Sequence, residues 1–251
     1  MVPAPTRRAR LREELTAEIK AAALAQLAEG GPQAVTLRGI ARDLGMSPAA
    51  LYSYFASLED LYTALIIDGF VSHATWVATA MDLVEADQHA DRMLSGLLAY
   101  RLWAIEHPEL FRLLYFSPVP GYQAPEDGEA LHSALLVSAA FLSVLVDAWA
   151  GGATAEITPG PPVDPSKFEA EFGLRVTSDQ LRTAMGCWGQ FHGLVALEVG
   201  GHISAEWCDP ANTYEASVRS MGGRTGLPPA SEAVTTSWVT QRLAEALAAA
   251  P

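Results

Sequence analysis

Two cysteines in 251 residues, Cys187 and Cys208, are too few for a disulfide framework, so burial rather than cross-linking must hold this fold together. No run of about eighteen apolar residues is free of a charge or a breaker, and no membrane span is expected. The arginines between Met1 and Arg12 are not followed by the leucine-rich stretch of a secretion signal, which makes the cytoplasm the expected compartment. Metal-ligand spacing is missing too. The histidines, His73, His89, His107, His132, His192 and His202, form no His-Glu-x-x-His, and the cysteines are not paired as zinc ligands. Nor is there a Gly-x-Ser-x-Gly elbow, a phosphate-cradling glycine loop after a strand, or an aspartate pair at prenyl-diphosphate spacing. These absences leave no catalytic residue, no metal and no cofactor to assign. Strand alternation, hairpin signals and internal repeats are also lacking, and the chain reads as all-α.

Positive charge is in short supply, with a net charge of −13. Taken over the whole chain, that balance argues against contact with phosphates, which need cations. Position changes the argument. Acid and base cancel within residues 1–60, so the whole excess of acid lies beyond residue 60. Arg7, Arg8, Arg10 and Arg12 precede any acid and form a small basic arm, expected to be flexible without a partner. Half the residues are apolar, enough for an ordered globular protein of one or two domains.

The most informative stretch runs from Thr36 to Phe55. Thr36 can cap a helix whose Leu37, Ile40, Ala41 and Leu44 share one face, and Gly45 stops it because the next residue needs positive φ. Ser47 and Pro48 then start a second helix, with Leu51 and Phe55 on its buried edge. That arrangement leaves Ala49, Tyr52 and Ser53 pointing outward, with Tyr54 beside them. Helix, glycine turn and capped helix together make the helix-turn-helix pattern, whose second helix enters the DNA major groove. The run Ile40-Ala41, Leu44-Gly45-Met46-Ser47, Leu51-Tyr52-Ser53-Tyr54-Phe55 and Leu61 resembles the N-terminal domain of TetR/AcrR-type transcriptional regulators. Leu58 stands where many members carry a lysine that touches the DNA backbone, so one phosphate contact is expected to be missing.

A supporting helix is expected from about Leu11 to Glu29, with Leu15, Ile19, Ala23 and Leu27 inward. Ser57 and Asp60 form a capping-box start for a long helix carrying Leu61, Leu65, Phe70, Val77 and Met81. In the family this fourth helix joins the DNA-binding domain to the rest. Further helices are expected over Asp91–Glu106, Glu129–Ala150, Ser178–Gly200, Asn212–Met221 and Ser231–Ala249. A break is expected at Ser117–Gly121 and a long exposed loop over Gly151–Pro165. The run Trp188-Gly189-Gln190-Phe191-His192-Gly193-Leu194 resembles the Trp-His-Gly element of one TetR subgroup. Domains are therefore placed at 1–57, binding DNA, and 58–251, binding an effector and the second subunit.

The DNA-contacting set is Thr36, Arg38, Ser47, Pro48, Ala49, Tyr52, Ser53 and Tyr54, joined by Arg8 and Arg10 from the arm. Hydroxyls and cations suit phosphates, and the Ala49 methyl suits a thymine methyl. Tyr54 has an alternative role as a cap on the local core, and the arm as a solvated tail. Trp103, Phe111, Tyr115, Phe116, Phe141, Trp149, Trp188 and Phe191, with His192, either line a cavity for an apolar or aromatic effector or simply pack the core. His192 can equally make a structural hydrogen bond, and Cys187 is either a redox sensor or an inert buried thiol. Gly186, Gly189, Gly193 and Leu197 mark a smooth helix strip that the resemblance assigns to a homodimer interface. The resemblance implies a repressor of a palindromic double-stranded operator, released by a small apolar or aromatic molecule. Two alternatives remain: a helical small-molecule binder or enzyme without a DNA role, and a regulator without a ligand.

Overall fold

A computed structural model describes residues 6–116, 122–123, 125, 128–203, 205–206 and 208–249; the expected break at 117–121 lies outside them. No strand occurs among the described residues. The helices are α1 (Arg7–Gly30), α2 (Leu37–Asp43), α3 (Pro48–Tyr52), α4 (Leu58–Met81), α5 (His89–Glu106), α6 (Pro108–Tyr115), α7 (Gly128–Ala150), α8 (Ser166–Phe172), α9 (Ser178–Val199), α10 (Pro210–Arg219), α11 (Gly222–Thr225) and α12 (Thr236–Ala249).

The chain divides into two compact units, Met1–Gly69 with Glu109–Ala130, and Phe70–Pro108 with Leu131–Pro251. This division differs from the boundary expected after residue 57. It falls inside α4 because Leu61, Tyr62 and Leu65 are buried in the same core as Ile19, Ile40 and Leu51, and Leu113 of α6 joins them. Within this first unit Tyr62 donates its hydroxyl to the Pro32 carbonyl at 2.6 Å, and Lys20 pairs with Asp68 at 2.6 Å. Helix α1 begins earlier than its apolar spacing suggests. The Thr6 hydroxyl accepts the Ala9 N–H at 3.2 Å, so Arg8 and Arg10 sit in a capped first turn rather than on a flexible arm.

The second unit is organised on α5, nearly every residue of which is buried from Leu94 to Ala104 and which packs against α9, α10 and α12. Arg101 grips Glu198 of α9 through two bonds, Nε to Oε2 at 2.7 Å and Nη2 to Oε1 at 2.5 Å. From α10, Tyr214 donates to the Leu97 carbonyl at 2.8 Å. Val239 and Leu243 of α12 are buried, so this helix covers the core of its own chain.

Residues 151–165 form no helix, as expected, but they are a tethered strap rather than a free loop. The Glu156 N–H donates to the Arg224 carbonyl at 2.9 Å, Thr183 donates to the Glu156 carbonyl at 2.8 Å, and Ser178 accepts the Val163 N–H at 2.9 Å. At the crossing, Gly226 has φ +81° and a Cβ there would stand 2.5 Å from the Thr154 carbonyl oxygen, so only glycine fits. The short helices α8 and α11 carry too little apolar period to be read from sequence, and α8 buries no residue at all.

Helices α4 and α7 are long and apolar enough to cross a membrane by length and composition, despite the charges they carry. Each is also a core helix: Leu61, Leu65 and Val77 of α4 and Val137, Leu142 and Leu145 of α7 are buried.

Candidate nucleic-acid interface and effector cavity

In the first unit the turn between α2 and α3 is built by the local rules its sequence announces. The Thr36 hydroxyl accepts the Gly39 N–H at 3.0 Å. At the far end Gly45 adopts φ +64°, the Met46 N–H reaches back to the Ala41 carbonyl at 2.7 Å and the Gly45 N–H to Arg42 at 3.2 Å, a complete Schellman closure. The Ser47 hydroxyl accepts the Ala50 N–H at 3.1 Å and starts α3 at Pro48. From α1, Gln26 spans α2, accepting the Thr36 N–H at 3.2 Å and donating to Asp43 at 2.6 Å. A Cβ at Gly39 would come within 2.9 Å of that amide, so a bare backbone is needed there.

On this frame Leu51 is fully buried while its neighbour Tyr52 is 50% exposed. Thr36, Arg38, Ser47, Pro48, Ala49 and Ser53 are exposed alongside it. Tyr54 behaves differently. It is half-buried against the core, and the Arg12 guanidinium lies 4.7 Å over its ring while donating to the Ser53 carbonyl at 3.0 Å. Arg12 therefore ties α1 to the end of α3, a contact between residues far apart in sequence that no spacing rule signals. Leu58, where a phosphate-binding lysine was looked for, packs against the same core.

The second unit contains a partly open cavity of about 490 Å³, walled by Met93, Leu94 and Leu97 of α5, Phe141, Leu142 and Leu145 of α7, and Leu181, Trp188 and Phe191 of α9. Val163 and Phe168 close it from the strap and α8, and Met221, Thr225 and Leu227 from α11 and its flanks. A volume of this size suits a small organic molecule.

Of the aromatic set read from the sequence, the structure brings only Phe141, Trp188 and Phe191 to this wall. Trp103 is completely buried between α4 and α5, its ring stacked 4.1 Å from His73 and its N–H on Ser72. Trp149 donates to the Thr225 carbonyl at 2.9 Å and packs beside Ala148 and Leu227. Phe111, Tyr115 and Phe116 cluster with one another in the first unit and do not line the cavity. In each case helical spacing identified an apolar face but not which neighbour it meets.

His192 also lies off the wall. Its Nδ1 bonds the Tyr100 hydroxyl at 2.6 Å and its ring stacks on Trp188 at 4.7 Å, a structural role. Burial lowers its pKa to about 4, and burial lowers that of His73 to about 3, with His192 and His107 adding to the effect and a bond to the Tyr100 carbonyl opposing it. Both rings are neutral at pH 7. Burial pushes the Cys187 thiol up, the inert condition, although the residue does line the cavity.

Of the small-residue strip on α9, Gly189 and Gly193 have open space where a Cβ would stand, and Leu197 is 46% exposed. Gly186 is a partial exception: a Cβ there would meet the Arg224 guanidinium of the same chain at 3.3 Å.

Comparison with known proteins gives these features a family. The family model for bacterial regulatory proteins of the tetR family matches residues 19–65, and that for a tetracyclin repressor-like C-terminal domain matches residues 93–221; neither describes the Trp-His-Gly subgroup. HTH-type transcriptional regulators of Mycobacterium tuberculosis and Mycobacterium bovis are 33% identical over 214 residues, which is 84% of this chain and 92% of theirs. The crystal structure of SCO4313, assigned as a regulatory protein, superposes with a TM-score of 0.66 at 32% identity, covering 88% of this chain and 100% of that one. A tetR-family regulatory protein from Rhodococcus RHA1 shares the fold, with a TM-score of 0.58 at 22% identity over 85% of this chain and 97% of that one. These relatives are regulators rather than enzymes, and the chain belongs to the TetR family of DNA-binding transcriptional regulators.

Proposed function

We propose that this regulator is a repressor that binds a palindromic operator as a homodimer in the cytoplasm and leaves it when a small apolar molecule enters the second unit. The observation that carries the reading is the mainly apolar, partly open cavity in a chain whose other unit presents a capped, solvent-facing α3. A ligandless regulator would have no use for such a cavity. Two-fold symmetry calls for half-sites one or more helical turns apart.

Tyr52, Ser53 and Ala49 are the proposed readers of base edges, with Tyr52 the leading one. Thr36, Arg38, Ser47 and the backbone N–H of Pro48's neighbours serve phosphate. Arg8 and Arg10, clustered on the first turn of α1, oppose the helix dipole when alone, and a phosphate alongside would relieve that conflict. The exposed strip of Gly189, Gly193 and Leu197 on α9 is the proposed subunit contact. Helix α4 contributes residues to both units and is the proposed carrier of the signal. The effector can act only through a difference in affinity between the DNA-competent and released conformations.

The test begins by selecting bound duplexes from fragmented genomic DNA. The wild-type chain should retain discrete fragments with a steeply negative salt dependence. Tyr52→Ala should lose them while remaining a dimer. Equal retention by that variant overturns the placement of α3, and no retained fragment by wild type favours a small-molecule binder without a DNA role.

A further inference from the structure

The wall of the cavity carries few polar side chains, and most are already engaged. Arg219 gives its guanidinium to Glu215 at 2.9 Å and to the carbonyls of Ser231, at 3.2 Å, and Val234. Its charge is answered within the protein, since Glu215 is held below the usual carboxylate range: burial acts to raise it, but hydrogen bonds from Thr236 and Arg219 prevail. Asp164, exposed at the rim, accepts both the N–H and the hydroxyl of Ser166 at 2.9 Å. The Thr225 hydroxyl donates to the Gly222 carbonyl at 2.9 Å. Cys187 is a neutral thiol, a weak donor at best. The Trp188 indole belongs to a residue 40% exposed, with its ring against His192.

Ser138 is different. It sits half-buried on α7, lines the cavity and has no hydrogen-bond partner among the described residues, whereas Ser143 on the same helix bonds back to the Ala140 carbonyl at 2.8 Å. The Ser138 hydroxyl is left to solvent in the cavity, and a ligand group can take the place of that solvent. Charge on a ligand would find no such welcome inside the cavity, because Arg219 is already paired with Glu215, Asp164 stands in solvent at the rim, and burying an uncompensated ion is costly.

We infer that the effector is an uncharged, mainly apolar molecule bearing one hydroxyl or carbonyl group, and that Ser138 is the residue that reads that group. This inference rests on the cavity being the effector site. It excludes carboxylates and organic cations as ligands, a narrower class than apolarity alone defines.

Four probes with one ring system separate the possibilities: naphthalene, 1-naphthol, 1-naphthoate and 1-naphthylmethylammonium, titrated calorimetrically into the full chain at pH 7.4. The alcohol should bind about fivefold more tightly than the hydrocarbon, the worth of one hydrogen bond. The two ions should bind at least about a hundredfold more weakly than the alcohol. Ser138→Ala should erase the advantage of the alcohol and leave the hydrocarbon unchanged, while Ser138→Thr, which keeps the hydroxyl, should preserve it. Ala184→Trp, which fills the cavity, should weaken all four and so locate the binding. If either ion binds as tightly as the alcohol, or Ser138→Ala keeps the preference, the inference is overturned while the effector cavity stands. If none of the four binds, or Ala184→Trp changes nothing, the cavity reading falls and takes the inference with it.

Discussion

The two units are built in opposite ways. The first displays α3 outward, a five-residue helix too short to persist alone, whose position is fixed by caps and by one buried leucine. The second, proposed to hold the effector, uses long helices whose buried faces stop short of meeting and leave a partly open space between them. In the first unit, side-chain hydroxyls and a left-handed glycine do the positioning; in the second, apolar packing around a few buried polar anchors does. The lesson is that a surface for a polymer can be built from local capping rules, whereas a container for a small molecule depends on how distant segments pack.

Breaking an anchor of the second unit should give the largest effect. Arg101→Met leaves the partly buried Glu198 without its partner and should cost about 3 kcal/mol in urea unfolding followed by tryptophan fluorescence, with hydrogen exchange in α1–α3 unaffected. Leu51→Ala attacks the first unit in the same way, and truncating a fully buried leucine should cost about 3 kcal/mol and take DNA binding with it. Acid separates the units by chemistry. His73 and His192 are neutral in the folded chain down to about pH 3 and 4, while an unfolded histidine takes up its proton near pH 6.5, so stability falls as pH drops below that value. At pH 5 the loss from His73 should be about 2 kcal/mol, felt in the second unit; a flat profile of stability between pH 7 and 5 would contradict the burial of these rings. Ser47→Ala removes the α3 cap and should cost about 1 kcal/mol, readable as earlier melting of the first unit. Tyr52→Ala should shift stability by less than about 0.5 kcal/mol yet abolish operator binding, the sharpest contrast with the adjacent Leu51.

The same contrast governs what can be read without coordinates. The caps at Thr36, Ser47 and Ser57 and the glycine at 45 depend on neighbours within a few residues, and each occurs where its residue type called for it. The long helices follow from apolar periodicity for the same reason. The cavity does not. Trp103 and Phe141 are both aromatic and both on apolar faces, yet one is sealed between helices and the other borders open space, because the outcome depends on what sits across from each. The start of α1 was hidden because a run of arginines looks like a tail, although the Thr6 hydroxyl caps the helix there. The first unit's true extent was hidden in α6, whose Leu113 joins a core begun about ninety residues earlier in the chain. A numerical pattern in sequence reports a helix face well and its partner poorly.

The link from Arg12 to Ser53 and Tyr54 has a practical corollary. Trimming the chain back past this arginine would leave α2 and α3 with all their own caps but would release the outermost turn from its tether, so a shortened protein could fold well and still read DNA badly.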